Sequence, residues 1–398
     1  MKGPLEGIKV IELAQIMAGP TCGILLADMG ADVIKVEKLP GGDDTRSYTE
    51  PSIAGESAPF MMMNRNKRGI AVNLKTPGGL DVVKRLLADA DVVTENYRKG
   101  TLEKLGLGYD VLAKLNPRLI YCAVSGYGRT GPYADKPGFD LIAQGFAGIM
   151  SVTGEPGGPP AKSGTSIADI NAGIFAALGV VSALLAREKT GRGQMVETSL
   201  MEAAIQQTYW QAAIWFATGV NPGPSGSAHL LTAPYQAFPT QDGWINIGGA
   251  NQSNWERIVK VIGREELAAD PRFRTNGDRM RNLEALTPLI AERLRTRSSA
   301  EWIREFEALG IPVGPVNRIG DMLADPQVRA REMVVEVEHA TAGRVSAIGH
   351  PIKFSETPGA ITRAAPVLGQ HTRAVLADLG YTAVQVDELV RSGAVHCA

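Results

Sequence analysis

GIKVIELAQIMAGPTCGILLADMGADVIKVEK, residues 7–38, decides the fold class. GIKVIEL (7–13) is a short, largely apolar run with β-branched residues, the pattern of a buried strand. GPTCGILLADMG (19–30) reads as a helix stopped by Gly30, and ADVIKVEK (31–38) as a second strand. Strand, helix, strand is the βαβ unit, whose strands run parallel. The theme recurs downstream: GIAVNL (69–74) is a strand, GGLDVVKRLLADA (78–90) a helix and DVVTENY (91–97) a strand. LAKLN (112–116) then closes another helix before the strand of RLIYCAVSGYG (118–128). The expected fold is α/β with a parallel sheet. Ligands of such sheets gather at the carboxyl ends of the strands, where the strand order switches. The loops there are AQIMAGP (14–20), TENYRKG (94–100) and SGYGRTGP (125–132).

With 398 residues the chain exceeds one ordinary core, so two domains are expected. Its 44% apolar and 21% charged residues fit a soluble globular protein. The 41 Lys and Arg nearly balance the 42 Asp and Glu, which gives no reason to expect nucleic acid or a membrane surface as partner. Cys22, Cys122 and Cys397 are an odd, widely spaced set without metal spacing, and a reducing cytoplasm is the expected compartment. The amino end reaches a charged strand pattern at once, unlike a signal peptide, and the apolar run 170–186 reads as too short and too glycine-dotted to cross a bilayer.

Several familiar chemistries are missing. No GxGxxG follows the first strand, where AQIMAGPTCG stands instead, which removes the main reason to propose a dinucleotide. VSGYG is not a nucleophile elbow, and the five histidines show no metal spacing. His371 in LGQHTR reads as a structural polar residue, and Cys22 and Cys122 as packing residues. There remains GTSIADINAGIFAALGVVSALLARE (164–188), in which Asp169 stands at the mouth of a small-residue, apolar helix. Asp is a favoured helix cap. A carboxylate held ionised by the helix N-terminus is also a nucleophile towards activated acyl groups. The residue types leave both roles open. Ala172, Gly173 and Ala176 beyond it would let a long thiol arm come close.

Seven ordered blocks carry a resemblance: LEGIKVIELAQIMAGP, LADMGADVIKVEKLPGGDDTR, NRNKRGIAVNLK, VVTENYRKGTLEKLGLGYD, LIYCAVSGYGRTGP, REKTGRGQMVETSL and PVLGQHT. Together they run almost end to end, and the chain resembles the family III CoA-transferases. The resemblance implies a Rossmann-like large domain over residues 1–200, completed by 328–398, and a smaller α+β domain over 226–327. A connector, 201–225, runs into the Gly-, Pro- and Ser-rich VNPGPSGSAH (220–229). It also implies an interlocked homodimer.

Asp169 corresponds to the family's nucleophile, and Asp140 in GFD to an acidic active-site position. Coenzyme A or its thioester is then a substrate, with no permanently bound cofactor and no metal. Gln15, Ile16, Lys38, Leu74, Lys75, Asn96, Tyr97 and Lys104 match the family's CoA-contacting positions. Gly248 and Gly249 in GGANQ match its glycine loop, although an ordinary hairpin exit has the same pattern. Racemases of the superfamily carry a histidine at the place of Phe139, so transfer is expected rather than racemisation. The formyl-CoA:oxalate branch typically carries a glutamine at the place of Met17 and a tyrosine at that of Phe139, and their loss speaks against oxalate; GGDDTR, MNRNKRGIAVNLK and TAPYQAF resemble the branch using succinyl-CoA with dicarboxylic or hydroxy-dicarboxylic acids. A dicarboxylate needs a cation for its distal end, for which Arg46 and Arg65 are the candidates. The alternatives are the oxalate enzyme, the 2-methylacyl-CoA racemase and, in a different class, a non-catalytic CoA-binding protein.

Overall fold

A computed structural model describes residues 3–398. Its main sheet contains β1 (Lys9–Leu13), β2 (Asp32–Lys38), β3 (Arg68–Val72), β4 (Val92–Glu95), β5 (Ile120–Ser125) and β6 (Met195–Ser199), with a seventh strand, Val395–His396, at one edge. The order is Val395–His396, β3, β2, β1, β4, β5, β6. β1 to β6 run parallel, and the edge strand pairs antiparallel with β3. Numbering therefore descends from β3 to β1, then jumps to β4 and ascends. The gap between the ends of β1 and β4 is the switch point.

Helices cover both faces, which is why these strands are apolar runs rather than alternating ones. On one face Val10, Val33, Val92, Ile120 and Cys122 pack against α1 (Ala18–Asp28) and later helices of the same unit. On the other, Ile11, Val36, Ile70 and Val93 pack against the helix Pro77–Ala88 and the C-terminal helices Thr372–Asp378 and Ala383–Arg391. The helices α2 (Asp140–Phe146), α3 (Ile167–Thr190), α4 (Leu200–Ile205) and α5 (Tyr209–Thr218) follow β5 and β6.

α3 has 24 residues and is long and apolar enough, by length and composition, to cross a membrane. The run 170–186 understated it, because Gly173 and Gly179 read as interruptions and are instead close-packing positions. A Cβ on Gly173 would lie 2.5 Å from the Thr21 side chain and 2.6 Å from the Ala18 carbonyl, and one on Gly179 would lie 2.6 Å from Val196. Ala172, Ala176 and Val180 are fully buried beside them. The small residues thus let α3 approach α1 and the sheet; they do not line a path for a thiol arm.

The chain divides into two compact units, one of residues 1–150, 162–220 and 326–398, the other of 151–161 and 221–325. The connector expected over 201–225 is shorter than that, since α4 and α5 belong to the larger unit. The smaller unit holds an antiparallel sheet of β7 (Tyr235–Pro239), β8 (Trp244–Gly248) and β9 (Val313–Pro315), with β8 central. Trp255, Ile258, Phe273, Leu286, Trp302 and Phe306 form its core. Two of its helices start with reciprocal capping boxes, Thr275 with Asp278 and Ser298 with Glu301.

Candidate active site

A cleft of about 440 Å³ opens at the switch point, entirely within the larger unit. The residues after β1 (Gln15, Ile16), after β4 (Asn96, Tyr97) and at the end of β5 (Ser125, Gly126) line it, and so does Asp169 from the first turn of α3. The fold brings together five of the catalytic and CoA-binding candidates from the sequence: Gln15, Ile16, Asn96, Tyr97 and Asp169.

Two of them clamp each other. The Gln15 N–H donates to Asn96 Oδ1 at 2.9 Å, and Asn96 Nδ2 donates to the Gln15 carbonyl at 2.8 Å. This reciprocal pair ties the β1 loop to the β4 loop across the switch point. The Tyr97 N–H donates to Glu95 Oε2 at 2.8 Å, while Arg129 bonds the other oxygen of Glu95 at 2.8 Å. The loops are therefore fixed before any ligand arrives.

Asp169 is the third residue of α3, not its cap. Ser166 holds the cap position without a side-chain bond, and the acceptor comes from 28 residues upstream. Asp140, first in α2, accepts the Ala168 N–H at 2.9 Å through Oδ1, with the Asp169 amide nitrogen 3.4 Å from the same oxygen. Its Oδ2 accepts from Gln144 Nε2 at 2.7 Å, and Gln144 Oε1 accepts the Ser163 N–H at 2.9 Å. Asp169 is thus freed from capping, and its carboxylate accepts no hydrogen bond among the described residues. Burial, and then the charge of Asp140, push the Asp169 carboxyl up to about 7. That reverses the expectation of a carboxylate held ionised by its helix. Near neutral pH it is partly protonated, and its ionised form is a more basic, less solvated nucleophile than an ordinary aspartate.

The remaining positions lie apart from the cleft lining. Lys38, at the end of β2, bonds Gln15 Oε1 at 3.2 Å and pairs with Asp44, both of which line the cleft. Leu74 packs against the second core, while Lys75 and Lys104 are exposed outside the lining. Gly248 and Gly249 belong to the smaller unit. Their N–H groups already donate to Pro312 O at 2.8 Å and Pro234 O at 2.7 Å, so neither amide is free for an oxyanion. A Cβ on Gly249 would meet Pro234 O at 2.5 Å, so tight packing is enough to require glycine there.

Arg46 and Arg65 are not available for a distal carboxylate. Arg46 grips Glu37 through two bonds of 2.6 and 2.8 Å, donates to Pro366 O at 2.8 Å and lies 3.7 Å over the Phe60 ring. Arg65 pairs with buried Asp28 at 2.5 Å. The cations that do line the cleft are Arg98, Lys99 and Lys136. Arg98 and Lys99 stood in the strand-end loop TENYRKG, where attention to the loop alone would have found them, whereas Lys136 stands three residues before Phe139, beyond the loop SGYGRTGP. Met17 and Phe139 are among the apolar side chains that line the same cleft as Asp169.

This arrangement suits a long anionic ligand carrying an acyl group: cations, a preformed backbone wall and one unpartnered carboxylate. Known proteins agree. The family model for CoA-transferase family III matches residues 5–372. A succinate–glutarate CoA-transferase of Agrobacterium fabrum is 41% identical, over 95% of this chain and 96% of that one. An acetyl-CoA:oxalate CoA-transferase of Acetobacter aceti is 39% identical, over 90% and 92%. The crystal structure of a CaiB/BaiF family protein from Brucella suis superposes with a TM-score of 0.86 at 40% identity, over 95% of this chain and all of that one. The chain belongs to CoA-transferase family III.

Proposed function

We propose that the enzyme moves CoA from succinyl-CoA to a dicarboxylic acid longer than oxalate, using Asp169 as nucleophile. Asp169 Oδ attacks the thioester carbonyl; the C–S bond breaks and CoA thiolate leaves a mixed anhydride. The thiolate then attacks the aspartyl carbonyl, expelling succinate and forming an aspartyl-CoA thioester. The acceptor carboxylate reverses the two steps. Each step exchanges one anion for another, so no proton need move. The observation that carries this reading is the unpartnered Asp169 carboxylate in the cleft at the switch point.

Asp140 holds the first turn of α3 and so aims Asp169. Gln15, Ile16, Asn96 and Tyr97 form the wall for the pantetheine arm, and Arg98, Lys99 and Lys136 offer charge to the phosphates. Lys38 acts through Gln15. Apolar Met17 and Phe139 favour a succinyl-like or longer acid over oxalate, whose two carboxylates have no methylene between them. Free thiols at Cys22, Cys122 and Cys397 accord with a reducing, cytoplasmic setting.

The working unit is a homodimer in this reading. Ile174, Leu178 and Leu185 on α3, Phe139 before α2, and Trp210 and Phe216 on α5 are large apolar side chains exposed on one chain, which a second copy would cover. The test is to incubate the protein with succinyl-CoA and a panel of acids and follow the acyl-CoA products by mass. Formation of dicarboxyl-CoA products, lost in Asp169→Ala with CoA binding retained, supports the reading. Full activity in Asp169→Ala, or α-proton exchange in a 2-methylacyl-CoA without transfer, overturns it.

A further inference from the structure

One wall of the cleft is strained. Ile16 has φ +68°, a left-handed conformation that a β-branched residue adopts only when its surroundings force it. The force comes from a residue behind the wall. Asp43 is buried and does not line the cleft, yet its Oδ1 accepts the Ile16 N–H at 3.1 Å. The same oxygen accepts from Thr45 N at 3.0 Å and Thr45 Oγ1 at 2.8 Å, so its position is fixed from the 41–46 loop.

Asp43 is in turn anchored to a closed set of charges. Its Oδ2 lies 2.8 Å from Lys35 Nζ, Lys35 lies 3.0 Å from Glu12, and Glu12 lies 2.8 Å from Lys67. All four side chains are fully buried, and two cations balance two carboxylates. Lys35 also donates to the Ala14 carbonyl at 2.9 Å, and Lys67 to Asn64 Oδ1 and the Pro20 carbonyl, each at 3.0 Å. The backbone from Ala14 to Ile16 is therefore held on both sides, by Lys35 at its start and Asp43 at its end. A buried ion network contributes little net stability compared with apolar packing, so its location calls for another explanation.

We propose that Asp43 is a positioning residue for the acyl-CoA: through the Ile16 N–H it locks the Gln15–Ile16 turn in its left-handed form, so that the binding wall is preformed. The inference rests on the reading of this cleft as the CoA site. Without the bond, Ile16 relaxes to negative φ and the Gln15–Ile16 peptide turns. Only a fraction of molecules then present the wall, and affinity falls by that fraction.

The test is Asp43→Leu, which keeps the branched shape and has no acceptor for the Ile16 N–H, in the full-length protein, with the Kd for free CoA and the kcat and KM for succinyl-CoA as readouts. Kd and KM should rise together by roughly tenfold, the factor a left-handed β-branched residue costs, while kcat stays within about twofold. Ile16→Gly added to Asp43→Leu should recover most of the loss, because glycine adopts this φ freely. Unchanged CoA affinity in Asp43→Leu, a loss confined to kcat, or no recovery with glycine overturns the proposal. Should Asp43→Leu fail to fold, hydrogen exchange of the unaltered protein decides. The Ile16 amide should exchange at least about 100-fold more slowly than in an unstructured peptide, and exchange at the peptide rate overturns the proposal. Arg98→Ala and Lys136→Ala separate the two readings. If they weaken CoA binding and Asp43→Leu does not, the positioning role alone fails; if neither weakens it, the cleft is not the CoA site.

Discussion

The carboxylate of Asp140 caps the helix that carries Asp169, accepting the Ala168 N–H at 2.9 Å from a position 28 residues upstream. One group thereby does two opposed things. It stabilises the first turn of α3, and its charge raises the energy of the ionised nucleophile next to it.

The pH dependence of acyl transfer follows. Asp169 must be ionised to attack, and its carboxyl is pushed up to about 7. The kcat/KM for the acyl-CoA donor should therefore rise through a single ionisation near neutrality rather than near 4. A pH–rate profile from about 5 to 9 with saturating acceptor checks this.

Asp140→Asn separates the two duties. The amide oxygen can still cap α3, but the neighbouring charge is gone, so the rise in kcat/KM should move to lower pH. Asp140→Ala loses the cap as well, which should cost about 1 kcal/mol on top. Comparing the two profiles, with denaturation midpoints for both variants, isolates the charge from the cap.

Asp169→Asn should abolish transfer and stabilise the fold above neutrality. The folded-state value is raised from 3.8 to about 7, so the folded protein binds the proton more tightly than the unfolded chain. That favourable contribution is fully present below pH 3.8 and is lost as pH rises through 7. The variant should match the unaltered protein at the acidic end and exceed it by no more than about 4 kcal/mol at pH 8, less where water reaches the carboxylate. Urea denaturation at pH 5 and pH 8 measures the difference.

Asn96→Ala removes both bonds of the clamp with Gln15. The KM for acyl-CoA should rise about tenfold with a much smaller change in kcat, since the loss falls on the binding wall. Steady-state kinetics with succinyl-CoA as donor checks the split.

Arg46→Ala should act on stability rather than on acceptor choice. Glu37 would be left buried without its bidentate partner, at a cost of roughly 3–5 kcal/mol. The ratio of rates across a panel of acids should stay unchanged in whatever folded protein is recovered.

Local pattern made the sheet legible. Runs such as VIEL and DVIKVEK alternate with helices bounded by glycine, and a β1 loop without GxGxxG turned the reading away from dinucleotides. The loops that hold Gln15 and Asn96 were legible as strand ends, while the two residues themselves came from the family resemblance. What the sequence hid depends on partners distant along the chain. Arg46 looks like a free cation until Glu37 folds against it, and Asp169 looks like a cap until Asp140 arrives from another helix. Gly173 likewise reads as room for a thiol arm, although its role is the approach of α1.

The sheet's outer edge has a consequence for biosynthesis. Val395 and His396 close the row beside β3, and Val375, Leu376 and Val386 cover the second core face. A chain synthesised only as far as the smaller unit lacks these pieces, with the flank of β3 open to any passing strand. The larger unit can complete itself only once residues 372–396 have been made, so its vulnerability lies in the interval between synthesis of β3 and arrival of those segments.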